Sequence, residues 1–147
     1  MKPFKYKLNS VLKLRLFEKQ KIENQLSVLN NEIISIKKNM TSIQNSLSEL
    51  QKNINRAGEK GQLDLSLIKY FPEYLNASER EIKNLKSELS EKESQRSETL
   101  KKLDEAMAKV KVLENDKENK HSDFKVLQRK KENLELEDMQ IILRGRR

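Results

Sequence analysis

The residue types that carry chemistry are scarce in this chain. His121 is the single histidine and there is no cysteine, so the sequence can supply neither a thiolate zinc site nor a cysteine–histidine nucleophile pair. Gly58 and Gly61 stand in the run Ala-Gly-Glu-Lys-Gly-Gln, which matches neither a phosphate-binding loop nor a dinucleotide fingerprint. His121 lies in a polar stretch and is expected to be a solvated surface side chain. We therefore expect no enzyme, no metal site and no cofactor.

The composition favours long helices over a globular core. Charged residues make up 37% of the 147 residues and aromatic residues 5%, with three glycines and two prolines. The apolar fraction is too small to enclose a substrate pocket. The net charge of +8 favours an acidic protein surface, an anionic membrane or nucleic acid as partner. Nucleic acid is disfavoured, because bases alternate with acids over most of the length and no basic helix leads into a zipper.

The sequence predicts a soluble protein. No stretch approaches the ~20 apolar residues that span a bilayer. Lys13 and Arg15 interrupt the apolar run 11–16, so a secretory signal is not expected. The absence of acids before Glu18 would suit an organellar transit peptide, but this segment is rich in lysine rather than in arginine and serine. The absence of cysteine fits a reducing compartment.

A heptad pattern dominates the first half of the chain. Apolar residues alternate at spacings of three and four, which predicts a coiled-coil helix that must bury its stripe against another helix. Going backwards, the same rhythm continues to Leu8, so we predict a first helix over about residues 5–56. The uninterrupted part of the seam consists of Leu26, Leu29, Ile33, Ile36, Met40, Ile43, Leu47, Leu50 and Ile54.

The glycines predict a turn, and a second helix follows. Gly after a periodic run is a common helix stop, so the turn is predicted over about 57–66 and the second helix over about 67–143. We favour a start near Pro72, because proline is tolerated in a first helical turn. One heptad frame then continues from Phe71 to Ile141. The frame is interrupted by polar residues at Lys92, Arg96 and Thr99.

Two helices joined by a short connection fold back on each other. We predict an all-α fold, a long antiparallel two-helix coiled-coil hairpin that forms a single domain over residues 1–147. Facing residues should have numbers that add to about 124, which places Glu105 where it could offset the seam charges of Arg15 and Lys19. The second helix is longer and should overhang the first beyond about residue 122. Its apolar residues there predict a partner, with a frayed or self-associating tail as the alternative.

Two other features leave alternatives open. Three of the seven aromatic residues, Tyr70, Phe71 and Tyr74, lie beside the turn, where they could either plug the hairpin tip or form a docking patch. The first twenty residues hold six lysines and arginines against Glu18 alone. Attachment of Phe4, Tyr6 and these basic turns to a membrane surface is a further possibility.

The opening run Phe-Lys-Tyr-Lys-Leu-Asn-Ser-Val-Leu-Lys-Leu-Arg over residues 4–15, followed by Glu18 and a long heptad helix, resembles the FliJ family of bacterial flagellar type III export proteins. The chain length, the glycine-containing turn and the run Tyr-Phe-Pro-Glu-Tyr-Leu over residues 70–75 are similar as well. The resemblance implies a non-enzymatic export component that serves flagellum biogenesis, protein transport and hence motility and chemotaxis. It also implies a cytoplasmic location, peripheral to the cell membrane at the flagellar base.

The resemblance further implies a monomeric rod that enters the pore of the hexameric export ATPase and promotes its assembly or activity. Such a rod would also contact the cytoplasmic domain of the export gate and escort export chaperones. The implied gate-binding residues are Phe71, Tyr74 and Leu75, with Ser78 where an apolar residue is more usual. The alternative is a generic coiled coil that acts as a parallel homodimeric spacer. The basic, apolar open end supplies the candidate ATPase-binding residues, which are Phe4, Leu8, Leu12, Arg15, Phe124, Leu127, Arg129 and Lys130.

Overall fold

The computed structural model describes residues 2–62 and 65–145. They form two helices, α1 over Asn9–Glu59 and α2 over Leu65–Gly145, and these described ranges contain no strand. The predicted all-α, two-helix hairpin class is confirmed. The chain divides into two compact units. The turn unit comprises residues 22–101, and the terminal unit comprises residues 2–21 together with 102–145 within the described ranges.

Helix α1 begins later than the predicted start near residue 5. The N–H of Asn9 donates to the carbonyl of Tyr6 at 3.1 Å, and the first helical bond runs from the Leu12 N–H to the Leu8 carbonyl at 2.9 Å. Residues 2–6 have no regular secondary structure. The aromatic side chains of this segment contact α2 instead, and these tertiary contacts override the local helical propensity.

A glycine motif ends α1 at Glu59, three residues past the predicted end. Gly61 has φ +66°, and its N–H donates to the Gly58 carbonyl at 3.3 Å. The N–H of Gln62 donates to the Ala57 carbonyl at 2.9 Å. This pair of bonds is a Schellman motif, which closes the last carbonyls of a helix around a residue in left-handed conformation. The predicted turn residue Leu63 lies outside the described residues.

The expected helix start near Pro72 is wrong. Helix α2 begins at Leu65, so Pro72 lies inside it and leaves the carbonyl of Ile68 without its helical N–H partner. Residues 65–70 are all exposed, so water can reach that carbonyl. Phe71 and Leu75, on either side of the proline, are half-buried seam residues. Their packing favours continuation of the helix through a residue that local propensity would place at its start.

The predicted seam of the turn unit is confirmed. Every apolar seam residue from Leu26 to Ile54 is buried or half-buried, and Ile33 and Ile36 are among the most buried side chains of the described chain. On α2 the same holds from Phe71 to Leu89, including Ser78, which is buried in the seam. The burial pattern therefore follows the two predicted heptad frames.

The polar interruption of the α2 seam is matched by polar partners on α1. Lys92 Nζ lies 2.8 Å from Glu32 Oε2, and Arg96 Nε donates to Asn30 Oδ1 at 2.6 Å. The hydrogen bond to Glu32 raises the pKa of Lys92 above its usual value, against the opposing effect of desolvation. The numbers of each pair add to about 124, the predicted antiparallel register.

Replacement of Gly61 by alanine tests the turn. The position has open space for a Cβ, so the whole cost of Gly61→Ala is the left-handed backbone, and we expect a loss of about 1–2 kcal/mol in the free energy of unfolding. Gly58→Ala, inside the helix, should instead be neutral or stabilising by up to about 1 kcal/mol. Urea unfolding followed by circular dichroism measures both. Equal effects at the two positions would contradict the assigned motif.

A pair of isoleucines two residues apart tests the seam. Ile36 is 5% exposed and Ile34 is 51% exposed. We expect Ile36→Ala to cost about 2–5 kcal/mol and Ile34→Ala less than about 0.5 kcal/mol, because only the first leaves a cavity. The same urea titration checks both variants. A shift of the predicted frame by one residue would give comparable losses.

Candidate functional site

An aromatic contact fixes the start of the chain to α2 in the terminal unit. We call residues 2–8 the N-terminal arm. The ring of Phe4 lies 4.7 Å from that of His121 and 5.5 Å from that of Phe124, centroid to centroid, with tilts of 43° and 47°. These tilted arrangements are favourable for aromatic pairs. His121 is exposed as expected, but it also has this ring contact, which the sequence did not indicate.

A hydrogen bond between two side chains gives the arm a second attachment. The hydroxyl of Tyr6 donates to Oδ2 of Asp116 at 2.5 Å. This bond, with desolvation and the carboxylate charge as smaller causes, raises the pKa of Tyr6 to about 12. The two aromatic residues considered for membrane attachment, Phe4 and Tyr6, are therefore half-buried against α2. Their apolar surface is directed to the protein itself.

The terminal unit has a small core between α1 and α2 and a paired seam charge on α1. Leu12, Ala106 and Val110 are buried. Arg15 Nη1 lies 3.1 Å from Glu18 Oε2, one turn along the same helix, so this seam charge has a partner on α1 itself. Leu12, a candidate for contact with the ATPase, is 6% exposed, so little of its side chain is accessible to a partner.

Helix α2 continues beyond the residues that the arm contacts. We call residues 125–145 the overhang. Its apolar side chains are exposed by half to two thirds, as predicted. They comprise Val126, Leu127, Leu134, Leu136, Met139, Ile141, Ile142 and Leu143. Arg129 and Lys130, two further ATPase candidates, are exposed on the same segment. A helix with this much bare apolar surface is suited to a partner.

The turn unit carries a second exposed apolar surface, the aromatic patch, made of Leu65, Leu67, Ile68, Tyr70 and Tyr74. Tyr70 is 59% exposed and Tyr74 is 44% exposed, so of the two alternatives for this cluster the geometry favours docking over a plug. Of the three gate candidates, Tyr74 belongs to the patch, whereas Phe71 and Leu75 are half-buried in the seam. Phe71 and Leu75 therefore belong to the interface between the helices rather than to the exposed patch.

Comparison with known families decides the identity. The family model described as flagellar FliJ protein matches residues 4–147, nearly the whole chain. The chain belongs to the FliJ family. It is therefore a component of the flagellar protein export apparatus. No curated protein and no solved structure gives a significant match.

Two structural features are absent from the described residues of this FliJ chain. Among the described residues, no helix is long and apolar enough to cross a membrane. The same residues contain no group of three or more histidine and acidic side chains that could hold a metal ion. What this FliJ chain offers in those ranges is helix surface, apolar in the overhang and in the aromatic patch.

Sequence reasoning missed one exposed surface of this FliJ chain. Leu14 is 53% exposed and Phe17 is 69% exposed on the side of α1 away from the seam. The heptad frame passes through Leu12, Arg15 and Lys19, so it assigns Leu14 and Phe17 to the outer face. The signal was present in the sequence, because two large apolar residues off the frame are expected to be exposed.

The Tyr6–Asp116 hydrogen bond can be tested by pH. Tyr6 keeps its proton up to about pH 12 in the folded chain, whereas the unfolded chain loses it near pH 10.0. Folding therefore retains a proton that unfolding releases in this window, and the contribution of the bond is present below pH 10 and lost as the pH rises. Tyr6→Phe should remove this pH-dependent part of the free energy of unfolding, which chemical denaturation measures. Asp116→Asn should make Tyr6 titrate earlier in tyrosinate absorbance, and an unchanged titration would refute the bond.

Proposed function

We propose that the terminal unit of this FliJ chain enters the pore of the hexameric export ATPase and promotes assembly of the ring or hydrolysis. In this proposal the chain has no enzymatic activity of its own. It acts as a monomer through its contacts with the ATPase, peripheral to the membrane at the flagellar base. Family membership supports the setting. The observation that carries the proposal is the overhang, whose apolar side chains have no partner helix in the described chain.

The energy available from such a contact is large. Burial of four of these side chains would stabilise a complex by about 6–12 kcal/mol before ordering costs. The positive charge of the arm and the overhang would also orient the encounter with the ATPase. The arm carries Lys2, Lys5 and Lys7, and the overhang carries Lys125 and Arg129 in its first turns. This basic surface would be attracted to an acidic pore lining and would speed its encounter.

The candidate residues divide into two roles within this proposal. Leu127, Arg129 and Lys130, with Leu8 on the arm, are exposed and would touch the ring. Phe4, Leu12, Arg15 and Phe124 are buried or half-buried and would position that surface. Loss of a positioning residue should therefore reduce folding stability as well as binding, whereas loss of a contacting residue should reduce binding alone.

The aromatic patch is the proposed contact with the cytoplasmic domain of the export gate. Exposed tyrosines combine apolar area with a hydroxyl that can be hydrogen-bonded at an interface. Tyr74 would make the contact, held by Phe71 and Leu75. Export chaperones complete the set of proposed partners, on the strength of family membership. The antiparallel contacts inside each unit, Lys92 with Glu32 and Tyr6 with Asp116, speak against the parallel homodimeric spacer.

Two exposed apolar residues of α2 give a matched test of the ATPase contact. Leu127 is 66% exposed in the overhang, and Val112 is 67% exposed where α2 is paired. With the cognate ATPase, we expect Leu127→Asp to reduce stimulation of hydrolysis at least about tenfold, because a buried carboxylate lacks a partner. Val112→Asp should leave the stimulation unchanged.

The same assay separates the two proposed surfaces. Tyr74→Ala should keep the stimulation but weaken binding to the isolated gate domain, and Leu127→Asp should do the reverse. If the wild-type chain changes neither hydrolysis nor ring assembly, the pore assignment is wrong. If Val112→Asp and Leu127→Asp act alike, the effect does not come from the overhang.

A further inference from the structure

The overhang continues the heptad frame of α2. Within that frame it places apolar residues in alternation with two opposite charges, Lys131 and Asp138. Phe124, Leu127 and Lys131 line a shallow groove on this face together with Glu135 and with Lys2 of the N-terminal arm. The frame residues of the overhang are Leu127, Lys131, Leu134, Asp138 and Ile141, and Phe124 precedes them in the same frame. A stripe at this spacing fits the stripe of another helix.

The charges of the overhang are segregated along its length. Residues 125–131, the basic block, hold Lys125, Arg129, Lys130 and Lys131 and no acid. Residues 132–138, the acidic block, hold Glu132, Glu135, Glu137 and Asp138 and no base. Ion pairs described in the structure, Arg15 with Glu18 and Lys92 with Glu32, lie outside both blocks. Within one helix, base before acid is also the less favourable order for pairing.

We propose that, when no other partner is present, the overhang pairs antiparallel with the overhang of a second copy of this chain. In that arrangement the basic block of each copy lies against the acidic block of the other, so the same attraction occurs twice. This follows the rule of two-fold interfaces, in which one surface is complementary to itself. The proposal does not depend on the ATPase contact.

The register of the pair follows from the charges and the frame together. Lys130, next to the frame residue Lys131, would flank the seam beside Glu137 of the second copy. The same alignment of the frames places Lys131 opposite Leu134 of the other chain, in the layer next to the one that holds Asp138. A parallel pair would instead stack Lys131 on Lys131 and Asp138 on Asp138. Like charges in adjoining seam positions are disfavoured, so the antiparallel pair is selected.

The pairing would be reversible and would compete with other uses of the overhang. The segment is roughly 30 Å long, which gives an interface at the small end of the stable range. We expect a dissociation constant of about 1–100 μM. A copy whose overhang is paired cannot offer that surface elsewhere, so self-pairing would hold the apolar stripe out of water until a stronger partner displaces it.

Sedimentation velocity of the full chain alone, over a concentration series, tests the pairing. The acidic variant carries Arg129→Glu, Lys130→Glu and Lys131→Glu. The basic variant carries Glu132→Lys, Glu135→Lys and Glu137→Lys. A control with Lys101→Glu, Lys109→Glu and Lys111→Glu makes the same charge change as the acidic variant, at exposed sites of α2 outside the overhang. Circular dichroism checks that all four chains keep their helices.

We expect the wild type to dimerise, and more weakly as salt is raised, because the attraction between the blocks is screened. Each overhang variant alone should dimerise at least about thirtyfold more weakly. An equimolar mixture of the two should recover to within about threefold of the wild type, since opposite blocks meet again. The control should behave as the wild type does.

Three outcomes would each overturn the proposal. The first is a wild type that stays monomeric throughout the series, which would leave the overhang for another partner. The second is a dimer that the reversals do not weaken or that salt strengthens, which indicates apolar or parallel association. The third is a mixture that does not recover. Since no ATPase is present, none of these results bears on the pore assignment.

Discussion

The structure depends on one constraint: a helix with a narrow apolar stripe is stable only while that stripe is covered. Neither helix has a core of its own, and the most buried side chains, such as Ile36 and Val110, lie on the two seams. The other features of the fold follow from where an opposing helix begins and ends along each stripe. The glycine motif after Glu59 reverses the chain so that one part of it can cover another.

Polar residues in the seam set the register in which α1 and α2 pair. An apolar stripe alone would tolerate a slip of one heptad, because leucine and isoleucine side chains can pack between the residues of more than one layer of the facing helix. Lys92 and Arg96 reduce this tolerance, since each has a partner on α1 in the observed alignment. A slip would leave a charge in the interface without its partner, which is costly. At the chain start, Phe4 and Tyr6 have the same effect, because each contacts particular side chains of α2, Phe4 the rings of His121 and Phe124 and Tyr6 the carboxylate of Asp116.

The sequence predicted what periodicity encodes and missed what tertiary contact decides. The seam from Leu26 to Ile54 and the bare overhang follow from heptad spacing and from the unequal lengths of the helices. Pro72 was misjudged because propensity is local, while the packing of its neighbours is not. The late start at Asn9 has the same origin, since the arm is held by contacts more than a hundred residues away along the chain.

The candidate site shows the same division. Exposure of Leu127 follows from the frame, which continues past the end of the paired helix, whereas the sequence left open whether Tyr74 is buried at the turn or exposed. Burial of Leu12 follows from the frame as well, yet its type and position made it look like a contact residue. In a two-helix protein the same apolar residue types serve the seam and the partner surfaces, so composition cannot separate them. What separates them is whether a second helix lies opposite, and the described residues supply none for residues 125–145.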